Sequence, residues 1–279
     1  MDILETIRNK FSSLAELPDE EIDLVGATLI IARISYPRLD ETVYQRYLSD
    51  LTERLRSRLN KTDRPVAMIE KLNRILFEEE GFRGNRHNYF DPDNSFINRV
   101  VDRKLGIPIT LSLIYTEVGK KAGMNLSGIA LPVHFITALF HESGRTLIDP
   151  FKQGEILSEE ECRTMVRRRL GEESAFDTRQ LSPASPKEIL IRMLRNLKAI
   201  YLQTHNDMKA FQMLHWILTL DPGSKAELRE RGLLYEALGN TDRAAEDLER
   251  YIALSPGPET ERIIGSKIEM LKKKSTRLH

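Results

Sequence analysis

Apolar positions along the first hundred residues recur at helical spacing. Glu20 to Ser35 reads EEIDLVGATLIIARIS, apolar on nearly every side, which predicts a buried helix ended by Pro37. After Glu41, the residues Tyr44, Leu48, Leu51, Leu55 and Leu59 return at three- and four-residue steps, with Arg and Glu on the opposite face. A third helix is predicted to open near Asp63 and Pro65, bury Ile69, Leu72, Ile75 and Leu76, and stop at Gly81. A short helix over Ser95 to Leu105 turns Phe96, Ile97, Val100 and Val101 inward, with Gly106 predicted to close it. Another starts at Pro108, carries Leu111, Ile114, Tyr115 and Val118 on one face, and ends before Gly123.

From Leu126 the period changes. Leu126 to Leu131, Val133 to Phe140 and Arg145 to Ile148 are short, β-branched and partly alternating, which predicts strands. His141-Glu142-Ser143-Gly144 is the turn between the second and third. A turn centred near Glu142 brings His134 and Asp149 together across the hairpin, as neighbours or one step out of register. An aspartate beside a histidine fixes its tautomer and steadies the imidazolium, the second half of a catalytic triad. The same pair also serves as a plain structural hydrogen bond at a strand end. Upstream, the loop Arg83 to Asn94 (RGNRHNYFDPDN) is rich in turn residues yet holds Tyr89 and Phe90. It reads as a packed loop capping the next helix, or as the rim of a cleft.

Beyond Asp149, Ser158 and Glu161 have the spacing of a capping box, which predicts a helix that contains Cys162. A displaced nucleophile at Cys162 would need a place beside His134 and a lowered pKa. Arg167-Arg168-Arg169 reads as a solvated helix end, and Gly171 to Pro186 as a linker. The last third repeats itself with a period of 34: Tyr201 and Tyr235, Ala210 and Ala244, Leu214 and Leu248, Pro222 and Pro256. Small alanines let paired helices approach and the prolines end each unit. The first copy has Lys198 where the second has Gly232, which predicts a looser helix contact there. Residues from Glu259 on fit a polar closing helix.

Composition changes this picture little. The 279 residues are 41% hydrophobic and 30% charged, ordinary for a globular protein, and Lys+Arg balances Asp+Glu at 42 each, which speaks against a nucleic-acid partner. The opening MDILETIRNKFSS lacks an apolar core, so no cleaved leader is expected, and no apolar run reaches the roughly 18–20 residues of a membrane span. One cysteine excludes an internal disulfide and a multi-cysteine metal site. A cytoplasmic protein is expected.

Taken together, GFRGNRHNYFDPDNSFINRVVDRKLGIPITLSLIY, then ALPVHF, then LIDPFKQGEILSEEEC resemble the SirB-type branch of the transglutaminase-like superfamily, proteins in which this core precedes tetratricopeptide repeats. SPKEILIRMLRNLKAIY and RERGLLYEALGN extend the likeness, which covers Ile30 to Pro258. It departs at Val133, where glycine is expected before the histidine. The resemblance implies an α+β protein. Helices lead into a papain-like core with a small antiparallel sheet, and an all-α repeat region follows. Residues 1–181 would form the first domain and 182–279 the second.

In active members of that superfamily a cysteine at the start of the core helix attacks an amide, helped by histidine and aspartate. His134 and Asp149 match the last two, and the cysteine position falls at Pro108 or its neighbours. Proline supplies neither a nucleophile nor an N–H for an oxyanion. Thr110 points some 200° away from position 108, while Ser112 returns to within about 40°, one turn deeper. Three functions follow. The first is a non-catalytic module that binds a protein or peptide, acidic in character, through Arg192, Arg195 and Arg229 on the first helices of the repeats. The second is a hydrolase or amide transferase using His134 and Asp149 with Ser112 or a water. The third, ranked last, is a metal-assisted site adding His87 or His141. The first reading expects no metal and no cofactor.

Overall fold

A computed structural model of the chain describes residues 3–171 and 176–276. Its contacts divide into two compact units, Met1–Met193 and Leu194–His279. Four helices open the first unit: α1 (Ile3–Glu16), α2 (Leu24–Ala32), α3 (Glu41–Arg56) and α4 (Pro65–Asn73), the last continuing as a π-helical turn over Arg74–Glu79. There follow β1 (Arg83–Gly84), α5 (Ile97–Arg103), β2 (Leu105–Gly106) and α6 (Pro108–Lys121). Then come β3 (Leu126–Ala130), β4 (Phe135–His141), β5 (Gly144–Asp149), β6 (Glu155–Leu157) and α7 (Glu159–Leu170).

α6 is the axis of this unit. Eleven of its 14 residues are buried, polar Thr110, Ser112 and Thr116 among them, so it is a core helix wrapped on all sides. Gly123, at φ 104, ends the element where a side chain would be strained. The four strands form an antiparallel meander in the order β3-β4-β5-β6. Successive β4 residues point to opposite faces. Thr137 meets Thr116 of α6, hydroxyl to hydroxyl at 3.3 Å, while Ile136 and Ala138 join a cluster with Leu147, Leu157 and Cys162. The sheet is thus covered on both faces, by α6 and by the region of α7. Ser158 and Glu161 form the expected capping box at the start of α7. Of the expected linker, residues 172–175 lie outside those described, and Thr178–Leu181 makes a 3₁₀ turn.

One expected helix end is corrected. Gly106 does not close α5; the left-handed residue there is Lys104, at φ 58. A lysine tolerates that backbone because its ammonium lies 4.2 Å from the centre of the Tyr47 ring and 4.6 Å from that of Phe82, and pairs with Glu80 at 3.2 Å. Gly106 is free to pair in parallel with Gly84, joining β2 to β1.

A long helix α8 (Pro186–Gln203) carries the chain from one unit into the other. The second unit continues with α9 (Asp207–Leu220), α10 (Lys225–Ala237), α11 (Thr241–Leu254) and α12 (Pro258–Thr276). Gly232 lets α10 sit against Leu248 of α11, and Ile264, Ile268 and Leu271 of α12 close the same cluster. At the corresponding place in the first copy stands Lys198, which reaches α10. Its buried ammonium donates to Glu227 at 3.3 Å and to Glu230, an ion-pair network between α8 and α10. Among the described residues no helix is long and apolar enough to cross a membrane.

Candidate functional site

The hairpin turn is as short as the sequence predicts, with His141 opposite Gly144. The register sets Ile148 opposite Thr137, so continuing it sets Asp149 opposite Ile136. His134, two residues earlier, therefore reaches Asp149 along the diagonal of one face. Its Nε2 donates to Asp149 Oδ2 at 3.0 Å. Asp149 is fully buried, and its other oxygen accepts from the Phe151 N–H at 3.0 Å, capping the 3₁₀ turn Pro150–Lys152. With both carboxylate oxygens engaged, the imidazole is oriented. Nε2 carries the proton, and Nδ1 presents its lone pair with no partner among the described residues.

Among the described residues no hydroxyl or thiol bonds to that lone pair. Pro108 is the first residue of α6, buried and without an N–H. Thr110 closes the helix start instead, accepting from Ile107 N at 3.1 Å and donating to the Asn94 carbonyl at 2.8 Å. Ser112 is fully buried and donates to the Phe135 carbonyl at 3.2 Å. Cys162 sits in the cluster on the far face of the sheet from α6. Burial, and then the charges of Glu161, Asp149 and Glu159, push its thiol up to about 11. That is the opposite of what a displaced nucleophile needs. His141 is tied to Ser143 and Thr146 at the hairpin tip, and among the described residues no group of three potential metal ligands converges.

The loop Arg83 to Asn94 is packed, as the first of its two readings has it. Asn85 donates to Asn94 Oδ1 at 3.0 Å and accepts from Asn88 N, while Asn94 donates to the Asn88 carbonyl at 2.7 Å. This amide network braces the backbone that carries Tyr89 and Phe90. The loop lies against Phe151, because Gly84 has no side chain: a β-carbon there would fall 2.5 Å from the Phe151 ring. Phe151 stands edge-on to His134, ring centres 6.1 Å apart, and Tyr89 stands edge-on to Phe151 at 6.3 Å. The guanidinium of Arg86 lies 5.8 Å from the centre of the Phe151 ring. Sequence reasoning passed over Arg86, Phe151 and the Asn85–Asn94 pair as site residues. Gly84 beside a loop containing two aromatics was the available signal.

The three arginines expected to bind a partner have different situations. Arg192 belongs to the first unit and donates to the Pro132 carbonyl at 3.1 Å, two residues before His134. Arg195 forks onto Glu227 at 2.9 and 3.0 Å. Arg229 is exposed and makes no ion pair among the described residues.

Residues 42–195 match the family model described as transglutaminase-like superfamily, and residues 197–271 match the one described as tetratricopeptide repeat. The chain belongs to the transglutaminase-like superfamily. It is 39% identical over 249 residues to a UPF0162 protein of Xylella fastidiosa (strain 9a5c), covering 88% of this chain and 89% of that one. It is 29% identical over 206 residues to a UPF0162 protein of Vibrio cholerae serotype O1, covering 74% and 76%. No solved structure matches. The family match covers the core that carries His134 and Asp149, and the repeat match covers the helices that follow.

Proposed function

We propose that this transglutaminase-fold protein is non-catalytic and works in the cytoplasm as a protein-interaction module, through its repeats and its degenerate cleft. The observation that carries the reading is the state of the would-be nucleophile. His134 and Asp149 keep the geometry of a base and its orienter. At the helix start, where the family reaction needs a thiolate, stands Pro108, and the nearest hydroxyl candidate, Ser112, spends its hydrogen on a backbone carbonyl. Helix-pair repeats bind peptides and proteins, and Arg229 offers an exposed charge to an acidic segment. Arg195 serves there indirectly, by fixing Glu227 in the repeat core.

The competing reading, a hydrolase or amide transferase, draws on the unpartnered Nδ1 of His134, which could activate a water. The deciding experiment places a photo-crosslinking residue at Phe90 or at Arg229 in the full chain, in cells. A discrete adduct at either position is expected, the one at Phe90 lost in Arg86→Glu. In parallel, the purified protein is offered a panel of anilides and esters. Turnover that vanishes in a folded His134→Ala variant would overturn the non-catalytic reading.

A further inference from the structure

The surface beside His134 is lined in a way that selects a ligand. His134, Phe151, Tyr89 and Phe90 form a row of rings in steps of 6.1, 6.3 and 5.5 Å. At roughly 3.3 Å per extended residue, the contour of that row matches a segment of about five residues, longer than a single small metabolite. Tyr89 and Phe90 remain 40% and 58% exposed. The Asn85–Asn94 network holds their loop in place, so this exposure belongs to a braced surface.

The charges facing the row have one sign. The loop's own acids are consumed: Asp91 pairs with Arg103 at 2.8 Å, and Asp93 with Arg99 at 3.0 Å. Asp149 is buried, with both oxygens engaged. Arg86, by contrast, is exposed, lies over Phe151 and makes no ion pair among the described residues. Arg192 stands at Pro132, and its field, with that of Arg169, reaches Tyr89, where it works against the upward pull of burial on the phenol.

We propose, resting on the interaction-module reading above, that this aromatic surface docks an acidic peptide segment. Arg86 pairs with a carboxylate of the segment, the Nδ1 lone pair of His134 accepts one of its backbone N–H groups, and apolar side chains flanking the acid pack on Tyr89 and Phe90. Arginine suits the first role because its planar fork binds carboxylates in pairs of hydrogen bonds. The inherited base becomes a hydrogen-bond acceptor for peptide backbone, a use that needs no nucleophile.

The test selects displayed random heptapeptides, internal and free-ended, against the intact 279-residue chain. Enriched peptides are then titrated calorimetrically beside twins in which Asp or Glu becomes Asn or Gln. The expected result is an acidic residue flanked by aromatic or aliphatic ones. The amide twin should bind at least tenfold more weakly, Arg86→Glu should lose a similar factor, and a Lys-bearing twin should regain affinity for that variant. Free-ended winners that lose affinity on C-terminal amidation would assign the carboxylate to a chain terminus; internal winners assign it to a side chain. Peptides without acidic residues, or binding indifferent to Arg86→Glu with folding intact, would sink the proposal. So would an empty selection. Binding lost only in Arg229→Glu would move the site to the repeats and leave the interaction-module reading standing. Cleavage of a bound peptide by the wild type but not by His134→Ala would remove that reading as well.

Discussion

Asp149 carries more of the site than its neighbours do. One oxygen orients His134 and the other caps a turn, both in a fully buried side chain. Replacing Asp149 by alanine should cost about 2–4 kcal/mol, the sum of a lost cap and a lost charge-assisted bond. Ser112→Ala should cost only about 1 kcal/mol, for one neutral hydrogen bond to the Phe135 carbonyl. Urea denaturation of both variants measures the contrast, and a similar cost for the two would contradict this account. Cys162, with its thiol pushed to about 11, should resist iodoacetamide at pH 7.5 in the folded protein and react readily in urea, as mass spectrometry would show. The His134–Asp149 pair was legible in the sequence because 15 residues and a tight turn connect the two. The hydrogen-bond partner of Ser112 was not, since helical spacing gives the direction of a hydroxyl and not what waits for it.

The elements of the cleft meet at contacts that local pattern does not encode. α6 and the β4–β5 hairpin follow from spacing, and Pro108 and Gly123 mark the helix as predicted. The loop from 83 to 94 was open to two readings, and its packed side depends on Phe151, some sixty residues later, lying on bare Gly84. Gly84→Ala should push that ring away and destabilise the fold by about 1–3 kcal/mol. In a Phe151→Ala background the same change should cost much less, and a double-mutant cycle on urea midpoints measures the coupling. Equal costs in both backgrounds would show that the ring does not depend on the missing side chain. Lys104 teaches a related lesson. Glycine was the expected helix stop, yet two aromatic faces and Glu80 hold a lysine in the left-handed region.

Across the whole molecule the two units are stabilised differently. The first buries a nearly complete helix between sheet and helices, whereas the repeats depend partly on charge where α8 meets α10. Burial opposes the ionisation of Glu227, but hydrogen bonds from Arg195 and Ser224 and the charge of Lys198 prevail and hold it down to about 2. A carboxylate whose folded pKa is depressed stabilises the fold above its unfolded value. That contribution fades as pH falls from the ordinary 4.5 toward 2. Removing one partner of so buried a network costs about 3–5 kcal/mol at neutral pH. Glu227→Ala should therefore lower the melting temperature at pH 7 and lose most of its effect near pH 2.5. The single tryptophan, buried Trp216 on α9, reports that transition by fluorescence. A difference that persists undiminished at pH 2.5 would show that lost packing, and not charge, is what the substitution removed.

The sequence by itself determined whatever depends on residues close in the chain. Helical and strand periods, the hairpin that joins His134 to Asp149, the proline at the head of α6 and the 34-residue repeat all lie within one turn, one strand pair or one period. Tertiary structure decided which groups were left with something to bind. Arg195 is consumed by Glu227, Arg229 and Arg86 are not, and the aromatic row exists only because the loop before α5 folds against the turn after β5. Backbone spacing fixes local geometry within a few residues. The pairing of charges and the stacking of rings depend on which distant surfaces packing brings together.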